Sequence, residues 1–172
     1  GVSDDKYDIL KRCIKETEIP IILDADALNI LDNHKELLSF VKNRAVITPH
    51  FGEFSRLSGY SIEEIKKDRV NLAKSYALQH DVIVVLKGYN TIITNGDDVV
   101  INYTGNSKMA SGGMGDCLTG IIASFIGQGM NRFKASILAC YIHGLAGDKL
   151  SKDKYSISAT DIIEELPKII EE

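Results

Sequence analysis

Cysteine is scarce, and none of it sits in a metal-binding arrangement. Cys13, Cys117 and Cys140 are far apart and odd in number, which fits a reduced, cytoplasmic compartment better than a disulfide scaffold. No His-Glu-x-x-His or Cys-x-x-Cys spacing occurs, so no zinc site is expected. No Gly-x-Ser-x-Gly elbow is present, and no Gly-Lys-Ser/Thr follows the glycine-rich segment, which excludes a serine-hydrolase elbow and a P-loop. The most apolar stretch, 137–146, is only ten residues long and contains His143 and Gly144, well short of the ~20 residues that span a bilayer. Basic residues are not in excess: 20 against 24 acidic gives a net charge of −4. With a pI near 5.6, this argues against a nucleic-acid or anionic-membrane partner.

What is present is an ordinary globular mixture, 44% apolar and 26% charged over 172 residues. That length suits one domain, 1–172, with one sizeable core. Gly1 is not preceded by methionine and the pattern is helical within ten residues, as expected of a piece of something longer. Apolar runs at 19–23, 45–48 and 82–86 read as strands buried on both faces, the mark of a parallel sheet. Ser61-Ile-Glu-Glu64 is a capping box, followed by Ile62, Ile65, Arg69, Leu72, Ala73 and Tyr76 at helical spacing. Segments 91–94 and 99–103 read as a hairpin around Asn95-Gly96-Asp97. Helices are expected at 116–128, at 132–151 (apolar around most of its circumference, hence buried) and from Ser158 to the end. The alternation implies an α/β fold. The polar clusters Asp24-Ala-Asp26, Thr48-Pro-His50 and Lys87-Gly88 follow strands, where ligands of such folds gather.

The sharpest feature is Gly112-Gly113-Met114-Gly115-Asp116. Glycines let backbone N–H groups approach an anion, and a helix N-terminus favours it. A carboxylate beside a phosphate is repelled unless it takes a proton or holds a cation, so Asp116 reads either as a base or as a simple helix cap. In Thr48-Pro-His-Phe-Gly-Glu53, His50 reads as a ligand or proton relay and Glu53 as a magnesium contact through water. The alternative is a strand-to-helix turn with Glu53 in the first helical turn. Lys87 reads as a phosphate contact or a solvated charge, and Asp24 and Asp26 as ligands or helix caps. His34 and His80 are expected at the surface.

Taken together and in order, Asp24-Ala-Asp-Ala-Leu-Asn29, Thr48-Pro-His-Phe-Gly-Glu53, Leu86-Lys-Gly88, Gly105-Asn-Ser-Lys-Met-Ala-Ser-Gly-Gly-Met-Gly-Asp116, His143-Gly-Leu-Ala-Gly-Asp148 and Ala159-Thr-Asp-Ile-Ile163 resemble the ADP-dependent NAD(P)H-hydrate dehydratase family, a branch of the ribokinase-like superfamily. The resemblance covers this whole chain but only about the C-terminal two-thirds of the family's domain. It implies a three-layer α/β/α fold with a mostly parallel sheet, whose early strands would lie upstream. Without an upstream segment or equivalent surface, an open sheet edge is expected to make the chain unstable.

The resemblance also implies a reaction: hydrated NADH and NADPH (NADHX and NADPHX) are dehydrated at the expense of ADP, giving AMP and phosphate. ATP is the donor in eukaryotic relatives, and Mg2+ accompanies the nucleotide. Asp116 then matches the base, with N–H groups around Gly113 and Gly115 as anion hole. Lys87, Gly88, Tyr89, Asn90 and Thr91 match the nucleotide-binding loop, with Gly113 and Gly115 also at the nucleotide. Gly1, His50 and Asp116 match positions around the hydrated nicotinamide. Glu53 sits where related sugar kinases carry a magnesium-linked glutamate. Ser107-Lys108 and Met114 depart from the pattern, and Lys108 adds a cation near the expected phosphate path. A homo-oligomer and a fused or separate epimerase are further expectations. The rival reading is a vitamin-precursor kinase of the hydroxymethylpyrimidine or hydroxyethylthiazole type.

Overall fold

The computed structural model describes residues 4–171. Five strands form one sheet in the order β1 (Ile21–Leu23), β2 (Ala45–Ile47), β3 (Ile83–Leu86), β4 (Thr91–Thr94), β5 (Val99–Asn102). β1 pairs parallel with β2 in the register Ile21 to Ala45, and β2 parallel with β3 in the register Val46 to Ile83. β4 returns antiparallel, with Val85 opposite Ile93. The helices are α1 (Asp4–Glu16), α2 (Asp26–Asn33), α3 (Phe51–Ser58), α4 (Ile62–His80), α5 (Met114–Gly127), α6 (Arg132–Leu150) and α7 (Ala159–Ile170). Short 3-10 turns lie at Lys35–Phe40 and Ser107–Met109.

The parallel strands behave as their composition requires. Every residue of β2 and β3 is buried. At the sheet's edge only Leu23 of β1 is. β1 also begins two residues later than its apolar run, because Pro20 has no N–H to give a ladder and Ile19 lies 66% exposed. Arg44 ties this edge down: its guanidinium is buried and donates to the carbonyls of Ile14, Ile19 and Phe40. The hairpin forms as expected, with the Asn95 side chain accepting the N–H groups of Asp97 and Asp98. α4 starts at the Ser61–Glu64 box and breaks its helical geometry at Asp68, one residue before the imperfect Arg69.

The chain divides into two compact units. One runs to Gly88 and takes in Ile92–Val100; the other holds Tyr89–Thr91 and everything from Ile101 onward. The first has its core between sheet and helices, around Phe54, Leu28, Leu31, Ile65, Ile47 and Leu86. The second is built on α5, α6 and α7 in mutual contact, around Ile122, Ala139, Cys140, Ala146 and Ile162. The structure corrects three expectations. α6 is not buried all round: Tyr141 is half exposed, and Ile137, Leu138 and Leu145 are not all fully covered, because small residues make many of its closest approaches. His34 and His80 are not free surface residues either. His34 stacks on Tyr7 at 4.1 Å, and His80 leans on Tyr76 at 4.4 Å, where burial lowers its pKa.

Candidate functional site

In the first unit, the carboxyl ends of β1, β2 and β3 bring three polar clusters together. The Thr48 N–H donates to Leu23 O at 3.1 Å, and the Lys87 N–H to Pro49 O at 2.8 Å. His50 is thereby set beside Lys87 in a parallel bridge. The Lys87 ammonium reaches back across the sheet to Asp24 Oδ1 at 2.6 Å, with the two side chains 20% and 11% exposed. Lys87 is therefore a partly buried ion pair rather than a solvated charge. Neither aspartate caps a helix: Ala25 is the residue before α2, in a left-handed conformation (φ 49°) without a side-chain cap bond. Asp26 instead pairs with Lys6 at 2.6 Å.

His50 is the N-cap of α3. Its Nδ1 accepts the Glu53 N–H at 3.1 Å, and Glu53 Oε2 accepts the His50 N–H at 2.8 Å, a reciprocal capping box. An accepting Nδ1 leaves the proton of the neutral ring on Nε2, 3.5 Å from Glu53 Oε1. The imidazole is 56% exposed while the carboxylate is 8% exposed. Glu53 thus holds His50 in one orientation, with more than half of its side chain exposed. Among the described residues, no group of three His, Cys, Asp or Glu is placed to hold a metal.

In the second unit, α5 begins two residues before the expected start. Gly113 is its N-cap, left-handed at φ 85°, without a side-chain cap bond. A Cβ there would meet Ala159 Cβ at 3.3 Å, so glycine is favoured by conformation and by space. Asp116 lies inside the first turn, which removes the helix-cap reading. Its side chain is exposed and, among the described residues, held by no ion pair. A helix N-terminus leaves its first N–H groups without intrahelical partners, and Gly113 has no side chain to take one. The start of α5 thus combines a left-handed glycine cap with an exposed carboxylate in its first turn.

Before that turn, Asp148 of α6 accepts the Gly105 N–H at 2.9 Å and the Asn106 amide at 2.8 Å. Lys108 donates to Ser151 O at 2.6 Å, at the negative end of α6. Between β3 and β4, Tyr89 is 84% exposed and Asn90 is left-handed at φ 56°, as a tight turn requires. Gly1 lies outside the described residues. The Asp24–Lys87 pair and the Asp148 clamp were not expected from the sequence; the only signal was that all these residues fall in the quoted motifs.

His143 of α6 is neutral. Burial pushes its pKa down to about 4 against an ordinary 6.5, opposed by a hydrogen bond with the Met114 backbone, and its Nε2 is buried without a hydrogen-bond partner among the described residues. The unfolded chain therefore takes up a proton first as pH falls below 6.5. Stability is full above that pH and declines toward pH 4, by up to roughly 3 kcal/mol. The thermal midpoint of the wild type should fall between pH 7 and pH 5, and His143→Gln should flatten that fall. Parallel slopes would refute the assignment.

The NAD(P)H-hydrate dehydratase family model matches residues 3–168. The chain is 39% identical over 175 aligned residues to a bifunctional NAD(P)H-hydrate repair enzyme of Moorella thermoacetica, covering 99% of this chain and 33% of that protein. Among solved structures it resembles a ribokinase-like superfamily protein of Enterococcus faecalis (TM-score 0.90, 30% identity, 99% of this chain and 60% of that one). It also resembles an ADP/ATP-dependent NAD(P)H-hydrate dehydratase of Bacillus subtilis co-crystallised with ATP and Mg2+ (TM-score 0.76, 32% identity, 88% and 56%). The chain thus spans about a third of that curated relative and three-fifths or less of these structures.

Proposed function

The chain belongs to the NAD(P)H-hydrate dehydratase family, and from that premise we propose that it takes part in ADP-dependent dehydration of NADHX and NADPHX to NADH and NADPH, with release of AMP and phosphate. The observation that carries the reading is the exposed carboxylate of Asp116 in the first turn of α5, directly after the left-handed Gly113.

The chemistry follows from leaving-group ability. Hydroxide leaves a ring poorly, and phosphate leaves well. In this reading Asp116 takes the proton of the ring hydroxyl as its oxygen attacks the terminal phosphorus of ADP, and AMP departs. Loss of phosphate, with a proton from the neighbouring ring carbon, restores the double bond. The N–H groups of Gly115 and its neighbours take the charge that builds on the transferred phosphoryl oxygens. Lys87 and the turn through Gly88, Tyr89, Asn90 and Thr91 hold the nucleotide. His50, oriented by Glu53, offers its exposed side chain to the nicotinamide. Mg2+ bound with the nucleotide would bring mainly phosphate and water ligands, to which Glu53 is suited only as a contact through water. An epimerase, fused or separate, would supply the correct epimer.

ADP is the expected donor. The kcat/KM for ADP should exceed that for ATP, with AMP and phosphate formed in equal amounts. A clear preference for ATP would overturn the donor assignment, and a stable phosphorylated product would overturn dehydration itself.

A further inference from the structure

One face of α6 carries a row of residues, 140–141, 144, 147–148 and 151, at the spacing that places them on a single helical stripe. Each member touches the segment that leads into the glycine turn. Cys140 O accepts the Asn102 amide and Tyr141 O the Thr104 hydroxyl. A Cβ on Gly144 would lie 2.6–2.7 Å from the Thr104 carbonyl group, and one on Gly147 would collide with Met109 Sδ. These two glycines exist for close approach. Asp148 takes both donors at Gly105 and Asn106, and Ser151 O takes Lys108.

The tethering continues to the site. Ser111 Oγ donates to Ile157 O at 2.8 Å, Gly113 abuts Ala159, and His143 bonds the Met114 backbone. Thr104, Gly105, Asn106, Lys108 and Ser111 are thus each held by a hydrogen bond to α6 or to the segment after it. Asp148 is the one carboxylate in this chain of contacts, and it accepts two hydrogen bonds at once, the stronger kind because it is charged.

We propose that Asp148 is a positioning residue for the reaction at Asp116: its carboxylate clamps Gly105 and Asn106 to α6 and so sets the path by which the glycine turn presents the base. The catalytic part rests on the dehydratase reading; the clamp does not. In Asp148→Asn, the new amide oxygen can accept Gly105 N–H, but its NH2 then faces the Asn106 NH2, donor against donor. In Asn106→Asp, two carboxylates face each other. The exchange Asn106→Asp with Asp148→Asn rebuilds the set. The new amide on α6 would accept Gly105 N–H and donate to the new carboxylate opposite it. The other oxygen of that carboxylate would still take the Lys108 N–H that Asn106 holds now.

The test is steady-state kinetics with NADHX and ADP, beside amide hydrogen exchange over residues 105–116, on wild type, both single variants and the exchange. A misplaced base costs roughly 10- to 100-fold. Each single variant should lose kcat in that range, with KM for ADP little changed, and should exchange faster over 105–116. The double variant should recover both. Unchanged exchange and kcat in the singles, or no recovery in the double, would overturn the proposal. A wild type with no turnover would overturn the dehydratase reading alone, and the exchange data would still decide the clamp.

Discussion

Asp116→Asn should lower kcat by about 10²- to 10⁴-fold, the usual contribution of a well-placed general base. Asparagine keeps the size and the hydrogen bonds but cannot take a proton. Affinity for ADP should hold or rise, since a negative charge beside the phosphates is gone. Helix stability should hardly move, because the cap of α5 is Gly113 and Asp116 makes no cap bond. A variant with near-normal turnover and the same fold would remove Asp116 from the mechanism. A bare helix-terminus role predicts that opposite result, so one substitution separates the two.

The second large effect is expected at the Asp24–Lys87 pair. Lys87→Met would take the ammonium from Asp24, which is 11% exposed, and breaking a buried pair costs up to about 3–5 kcal/mol. The same change should weaken ADP binding about tenfold or more, through loss of a charge-assisted contact. The double variant Asp24→Asn with Lys87→Met should recover most of the stability, because the carboxylate has gone with its partner, but none of the affinity. Denaturant unfolding and ADP titration on the three variants check this. Affinity returning along with stability would show that Lys87 acts only as a structural partner.

Much of the fold could be read from local chemistry. The buried runs at 45–48 and 82–86, the Asn95-Gly96-Asp97 hairpin and the Ser61 box are properties of neighbouring residues, and they formed where expected. So did the helix at Ser158, whose hydroxyl accepts the Asp161 N–H in a second such box. The run at 19–23 gave a shorter, partly exposed edge strand. The His50–Glu53 box is the same signal with an imidazole in place of a hydroxyl, which hides it from a search for Ser or Thr. What was missed depends on pairing across long separations. Asp24 meets Lys87 over 63 residues, and Asp148 meets Gly105 over 43. No periodicity encodes which carboxylate finds which donor. The early start of α5 was missed for another reason: Gly-Met-Gly has poor helix propensity, and a glycine N-cap gives no side-chain signature.

One measurement decides most directly whether this chain repairs cofactors. Hydrated NADH is mixed with the protein and ADP, and the near-ultraviolet absorbance of the reduced nicotinamide is followed. Absorbance should return only when ADP is present, with AMP and phosphate appearing in step. If hydrated NADH stays unchanged while the protein is folded and binds ADP, the assignment to cofactor repair is contradicted.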